Sequence, residues 1–396
     1  MLKLTDGKIA YDFDSCQQCG ACRSVCPSSA ISFTDTDNGL KNIVIDNVKC
    51  IRCQKCVKVC PANREFGCTD YIESLKDKQY FFAYNYDDEI RHASSSGGAC
   101  KTLIIESLKR GAVDGVYSLR KLELYPSAIG EFYTRDNIPS YSDIPNSVYH
   151  SIMACTEIAK VKKVYRLMLV GTSCQLHALE KSLRGKYDEL IKVCIFCKQQ
   201  KTLDSTRFLA KAMGYKIPEN QKFSTRYRGI GWPGIVRLGE AELPYSRAAQ
   251  LPFGRRLWTV PGCNLCGDPF GMECGADISL MDPWIIRTAN DLGETLVTVH
   301  TEQGLSLLES CKHLTLEKKT YEEVEPALGL GDIKRKRRLL PFFRHETSDT
   351  TILKAGKAEQ WQRHFLQSLV TGLPRLPILL YRVICRLPDL RNIILK

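Results

Sequence analysis

The 396-residue chain has no long apolar run, and no stretch approaches the ~18 uncharged apolar residues of a membrane span. It opens Met1-Leu2-Lys3-Leu4-Thr5-Asp6-Gly7, without the apolar core of a secretory leader. Most of the chain also lacks an excess of either charge. The formal net charge is +12, but residues 333–396 hold 14 Lys and Arg against 4 Asp and Glu, leaving 42 against 40 before them. So neutral a body argues against a protein that coats nucleic acid. An anionic partner, if there is one, belongs at the tail.

What the chain has in plenty is cysteine, 19 residues in all. Disulfide scaffolds are short and carry leaders, so clustered cysteines here point to bound metal in a reducing, cytoplasmic setting. Residues 16–27 read Cys-Gln-Gln-Cys-Gly-Ala-Cys-Arg-Ser-Val-Cys-Pro, and residues 50–61 read Cys-Ile-Arg-Cys-Gln-Lys-Cys-Val-Lys-Val-Cys-Pro. Both fit C-x-x-C-x-x-C-x-x-x-C-P. Three thiolates on a tight loop face three irons of one [4Fe–4S] cube, and the fourth serves the other cube. The spacing therefore assigns Cys16, Cys19, Cys22 and Cys60 to one cluster, and Cys50, Cys53, Cys56 and Cys26 to the second. Pro27 and Pro61 redirect the chain after each run. Zinc is the weaker alternative, since zinc knuckles pair two C-x-x-C units around one ion. Asn42–Asp46 reads as a strand between the runs, and Cys68 as a plain thiol.

Beyond about residue 78 the pattern becomes α/β. Tyr80–Tyr86 is a strand. Ser94, Ser95, Ser96, Gly97 and Gly98 precede a helix over 99–110, stopped by Gly111. Small residues there let backbone N–H groups approach an anion, although Ser and Gly are equally at home as an ordinary cap. A second unit has an apolar strand to Val170, a turn at Gly171, Thr172 and Ser173, and a helix from about Cys174. The carboxyl end of a strand meeting a helix start is a common site for phosphate-bearing ligands. Cys174 reads as a helix-start core cysteine, or as an activated thiolate. His177 lies one turn on, beside the site or on the surface. Another strand spans Asp188–Phe196 and a helix follows near 203–214. Cys263, Cys266 and Cys274 form a third cysteine group needing a fourth ligand. Cys197, at the end of the Asp188–Phe196 strand, is the favoured one. Zinc stays open at this site.

These residues resemble the beta subunits of coenzyme F420-reducing hydrogenase and of formate dehydrogenase, over about residues 12–325. The resemblance rests on Ser95-Ser96-Gly97-Gly98, Gly171-Thr172-Ser173-Cys174-Gln175, Cys197, Cys263-x-x-Cys266, and Ala276-Asp277-Ile278-Ser279 with Asp282 and Trp284, in order and spacing. It implies FAD and a third [4Fe–4S] cluster in the body. The Ser-Gly-Gly and Gly-Thr-x-Cys-Gln turns, with Asp277 and Asp282, would contact the flavin. Cys197, Cys263, Cys266 and Cys274 would hold the third cluster. Two positions depart from the pattern: Ser173 replaces a usual Pro, and Met281 a usual Gly, placing a bulky side chain beside the expected flavin or its substrate. Members with two N-terminal clusters include chlorophyll-pathway reductases and proteins found beside polysaccharide-synthesis enzymes.

The expected architecture is a bacterial-type two-cluster ferredoxin domain at 1–78, a mixed α/β flavin-binding domain at 79–332, and a basic, apolar tail at 333–396. The tail, with Lys334–Arg338 and three interrupting prolines, suits an anionic membrane surface, a partner, or the body itself. The leading function is an oxidoreductase passing electrons between clusters and a flavin that acts on an organic substrate. The alternatives are an electron-transfer subunit serving a separate catalytic partner, with ferredoxin, another redox protein or F420 as donor, and a cluster-stabilised scaffold.

Overall fold

Two short hairpins frame the cysteine runs. In the computed structural model, β1 (Leu2–Thr5) pairs antiparallel with β2 (Lys8–Tyr11), and β3 (Ile31–Asp35) with β4 (Lys41–Ile45). The described residues are all but 65–70, 249–251, 253–254, 287–289, 373–379, 381–382, 385 and 396, so Cys68 lies outside them. Leu2, Ile9, Ile31 and Ile43 pack with Cys22 and Cys56 into a small core. A core this small depends on whatever the cysteines bind.

The body is built on one eight-stranded mixed sheet. Its strands, in chain order, are β5 (Gln79–Asn85), β6 (Gly115–Lys121), β7 (Ala128–Thr134), β8 (Arg166–Gly171) and β9 (Glu189–Ile195), then β13 (Ile278–Met281), β14 (Thr295–Val299) and β15 (Leu314–Lys319). The order across the sheet is β15-β5-β14-β13-β9-β8-β6-β7. β6, β8, β9 and β13 run parallel, and β14 is antiparallel to both β13 and β5. Five strands therefore end at one edge, β5, β6, β8, β9 and β13.

Both faces of the sheet are covered, which is why Leu167–Val170 is a continuous apolar run. Met168 and Val170 face the helices Ala99–Lys109 and Glu302–Glu309, while Leu167 and Leu169 face the helix Ser173–Ser182. Further along that second face, Tyr80, Phe82 and Leu296 meet the helices Tyr321–Leu328 and Leu330–Arg338. Met281 packs in this cluster with Phe270. Thr172 and Gln175 cap the Ser173–Ser182 helix reciprocally.

A smaller antiparallel sheet, β10 (Thr225–Tyr227), β11 (Ile235–Leu238) and β12 (Ala241–Pro244), packs with the helix Leu203–Met213. The described tail folds back here. Leu366 and Val370 of the helix Thr350–Gly372 enter that core beside Leu257 and Trp258. Glu359 accepts from Arg256 at 2.9 Å and from Arg391 at 3.3 Å. The cations of Lys334–Arg338 also have partners in the chain: Glu73, Asp332, the Lys198 carbonyl, Glu273 and the Leu395 carbonyl, respectively. Among the described residues no helix is long and apolar enough to cross a membrane.

Candidate functional site

Each N-terminal run bends at a left-handed residue, Gly20 (φ 87°) or Gln54 (φ 58°), into a one-turn helix carrying its third cysteine. Cys16, Cys19, Cys22 and Cys60 line one cavity, with Leu2, Tyr11 and Ile43. Cys26, Cys50, Cys53 and Cys56 line another, with Ile9, Ile31 and Ile45. Each cavity takes three cysteines from one run and one from the other. Burial, then the neighbouring Cys19, Cys16 and Cys60, pushes the Cys22 thiol well up. Burial, with Cys26, Cys53 and Cys50 adding to it, pushes Cys56 up to about 11. Thiolates crowded this way repel one another, and iron supplies the charge that stabilises them. Backbone N–H groups also donate to sulfur, Gln18 to Cys16 at 3.4 Å and Ala30 to Cys26 at 3.3 Å, as suits cluster ligands. Among the described residues no three His, Cys, Asp or Glu side chains are placed to hold a single metal ion. A cube spreads its ligands over four irons.

The inner quartet is pressed onto the body. A Cβ at Gly20 would meet Thr156 and Met153, and one at Gly262 would strike the Cys16 carbonyl. The Ser24 hydroxyl donates to the Cys155 and Thr156 carbonyls, both at 2.8 Å. Cys155, fully buried, hydrogen-bonds with Cys19, the largest cause of that thiol's raised pKa.

Gly262 immediately precedes the third cysteine group. Cys263 lies in the 3-10 turn Pro261–Leu265 and Cys266 at its end, while Cys197 follows β9. Burial and then Cys263 and Cys266 push Cys197 up to about 12. Cys174, in the first turn of its helix, faces the same three: burial, then Cys266, Cys197 and Cys263, raise its thiol. Gln200 donates its N–H to the Cys263 sulfur at 3.3 Å. Lys336, donating to the Lys198 carbonyl at 2.8 Å, sets a cation beside this group. Cys274 keeps other company. Its thiol bonds the Gly271 carbonyl at 3.1 Å, and burial, then Asp268, push it up to about 12. Cys174, Cys197, Cys263 and Cys266 thus neighbour one another and Cys274 lies by Asp268, with the buried Cys194 bordering Cys274, Cys197 and Cys174. Asp268 is fully buried, accepts from the Ser173 hydroxyl at 2.6 Å, and pairs with Arg64 at 3.5 Å.

The carboxyl edge of the sheet collects most of the other candidates. Ser95–Gly98 follow β5, Gly171–Gln175 follow β8, and Asp282 follows β13. Ser95 Oγ accepts from the Ser147 N–H at 2.9 Å, and its carbonyl accepts from Arg228 at 2.7 Å. The Gly97 carbonyl accepts from the Asn85 N–H at 2.7 Å, and Ser96 bonds with the β14 start through Glu294 and Thr295. The turn is rigid, and these groups are already engaged. Asp282 holds the buried Arg228 guanidinium in a fork at 2.8 and 3.2 Å, and accepts from Trp232 Nε1 at 3.3 Å. The rings of Tyr245 and Trp284 lie 4.7 Å from that guanidinium. Asp277 is at the opposite end of β13, its carboxylate taken by the Lys192 N–H at 2.7 Å and the Thr301 hydroxyl at 2.6 Å. His177, a turn beyond Cys174, is held down to about 4 by burial and then by Arg64. Sequence reasoning passed over Arg228, although Arg226-Tyr-Arg-Gly-Ile-Gly-Trp-Pro-Gly234 is dense in glycine and aromatic residues.

Comparison with known proteins agrees with this layout. Residues 15–64 match the 4Fe–4S dicluster domain. Residues 80–128 and 164–324 match the N-terminal and C-terminal parts of the coenzyme F420 hydrogenase/dehydrogenase beta subunit. The chain belongs to that beta-subunit family. It is an iron–sulfur member, of oxidoreductase type, with a dicluster domain ahead of the family's two parts. Among solved structures, a chain of the F420-reducing [NiFe] hydrogenase complex from Methanosarcina barkeri matches at 17% identity, covering 71% of this chain and 92% of that one, with a TM-score of 0.47. No curated protein matches the chain.

Proposed function

We propose that this family member is an iron–sulfur flavoprotein oxidoreductase in which three cysteine groups lead to a flavin site at the carboxyl edge of the large sheet. The observation that carries the reading is their succession. Cys22 of the inner quartet neighbours Cys56 of the outer one. Cys16 of the inner quartet abuts Gly262, next to Cys263. Cys174 of the third group stands on the Gly171–Gln175 turn, at the edge where ligands of α/β sheets gather. Bound flavin would supply the interchange between one-electron and two-electron transfer. The protein's part is to hold the thiolates and to fix the Ser95–Gly98 turn through the Arg228–Asp282 ion pair, whose guanidinium also donates to the Ser95 carbonyl. For the third cluster we propose Cys174, Cys197, Cys263 and Cys266 as ligands, in place of a set containing Cys274. Anaerobic purification followed by metal and flavin assay tests the whole. About twelve irons, four per cube, and one acid-released FAD are expected. About eight irons with one zinc would remove the third cluster, and failure to bind FAD on titration would remove the flavin.

A second reading has its own support. The family is one of beta subunits, and Trp284 and Ile285 are exposed beside the edge. In that reading the chain serves a separate catalytic subunit docked there. Turnover of organic acceptors only after adding a co-encoded partner would favour it.

A further inference from the structure

The two cysteine runs align position by position, and the residues between their cysteines differ in a directed way. Gln17, Gln18, Ala21 and Ser24 of the first correspond to Ile51, Arg52, Lys55 and Lys58 of the second, while the exposed Arg23 opposite Val57 runs the other way. Gln17, Gln18 and Ala21 are buried against the rest of the fold, and Ser24 is hydrogen-bonded to the body. Their counterparts face solvent. Ile51 is 65% exposed and the neighbouring Val48 97%. Arg52, Cys53, Lys55 and Lys58 are exposed as well. Residues 47–60 contain four cations, Lys49, Arg52, Lys55 and Lys58, and no Asp or Glu. Asp46, just before them, pairs with Lys49 at 3.5 Å. This segment is therefore locally basic in a body that is otherwise nearly neutral.

The cavity lined by Cys26, Cys50, Cys53 and Cys56 lies directly under this face, with Ile51 and Arg52 among its lining residues. A small apolar centre allows close approach to a redox site. A ring of like charges speeds encounter with an oppositely charged partner without making the complex permanent. Small interfaces of that kind are characteristic of transient redox pairs.

We propose that the face formed by residues 48–58 docks an acidic one-electron carrier protein, of ferredoxin or flavodoxin chemistry, whose redox centre is ringed by Asp and Glu. This rests on reading the two quartets as cluster ligands. In each encounter one electron leaves the reduced carrier and is taken up at the Cys26, Cys50, Cys53 and Cys56 site, with no bond made or broken. The inner quartet, set against the body, receives the electron from the outer one. A two-electron reaction needs two such encounters, so the carrier must leave quickly, as a salt-sensitive contact permits.

The test uses the full chain purified anaerobically, with a reduced acidic [2Fe–2S] ferredoxin as probe in stopped flow. At low ionic strength the triple variant Lys49→Glu, Arg52→Glu, Lys55→Glu is expected to react about tenfold or more slowly than wild type. The two rates should converge as salt is raised. A photoreduced deazaflavin needs no docking and should reduce both proteins equally. Should the triple variant lose iron, Lys58→Glu alone, at the exposed end of the one-turn helix Lys55–Lys58, should still slow the ferredoxin reaction severalfold. Wild-type rates in the variants and no salt dependence would overturn the proposal. So would wild-type carrier rates accompanied by loss of binding to vesicles rich in phosphatidylserine, since that assigns the face to a membrane. If deazaflavin fails to reduce even the wild type, the electron-transfer reading itself fails, and the docking proposal with it.

Discussion

Ser173 and Cys174 are adjacent in the chain, yet their side chains join different groups. Ser173 donates to buried Asp268 and accepts from Arg64 at 3.0 Å, which a proline there would not do. Cys174 bonds the Thr172 hydroxyl at 3.3 Å and neighbours Cys266, Cys197 and Cys263. Arg64 follows Cys60 by four residues, so the Arg64–Ser173–Asp268 contact also ties the inner quartet to the third group. A direct comparison separates the two candidate fourth ligands. Cys174→Ala is expected to remove or alter the electron paramagnetic resonance signal of one reduced cluster and to lower iron by up to about four per chain. Cys274→Ala is expected to leave all three signals, because its thiol bonds the Gly271 carbonyl and the Ser173 hydroxyl. The reverse result would restore Cys274 to the ligand set.

The tail shows at the scale of elements why an interaction can be hard to read from sequence. A basic, apolar, proline-broken segment suits a membrane surface, and nothing local reveals that Glu359 will meet Arg256, 103 residues away. Burying Leu366 and Val370 in the small-sheet core makes the helix Thr350–Gly372 part of the body. Leu366→Ala should therefore cost about 2–5 kcal/mol. Urea unfolding should report that loss, and proteolysis should begin within 350–372 while the two N-terminal quartets keep their visible absorbance. An unchanged urea midpoint would mean that the helix packs elsewhere in solution. Other elements were plainer from local signals. The apolar run ending at Val170, the Thr172–Gln175 cap and the Gly111 stop each announce their unit within a few residues. The cysteine runs carry their own spacing. The fourth member of the third group does not, because Cys174 and Cys263 lie 89 positions apart: the β8–β9 pairing sets Cys174 near Cys197, and the Lys201–Thr259 bridge draws the Cys263 turn to them. Asp277 and Asp282 look alike in sequence, but a four-residue strand puts them at opposite ends of β13.

Across the whole molecule, buried neutral histidines couple stability to acid. His150 is almost fully buried, donates Nε2–H to the Pro126 carbonyl at 2.9 Å, and packs against Tyr125. A carbonyl can only accept, so Nε2 carries the proton. Burial holds this imidazole down to about 4, from an ordinary value of 6.5. The unfolded chain therefore takes up a proton below pH 6.5 that the folded chain refuses until about pH 4. Stability is full above 6.5 and falls as the pH drops through that window, at about 1.4 kcal/mol per pH unit for each such proton. His300, hydrogen-bonded with Ser279 at 2.6 Å and held down to about 3 chiefly by burial, adds in the same direction. Both act on the large sheet or its border, so the loss belongs to the body rather than to the cysteine runs. Urea midpoints measured anaerobically at pH 7.5, 6.5 and 5.5 should be level over the first interval and fall over the second. His150→Gln keeps a donor for Pro126 and has no charge to gain. It should flatten the fall by about one proton's worth while lowering the pH 7.5 midpoint only slightly. An equal slope in wild type and variant would show that His150 protonates as readily in the fold as out of it, and that another group sets the acid limit of this protein.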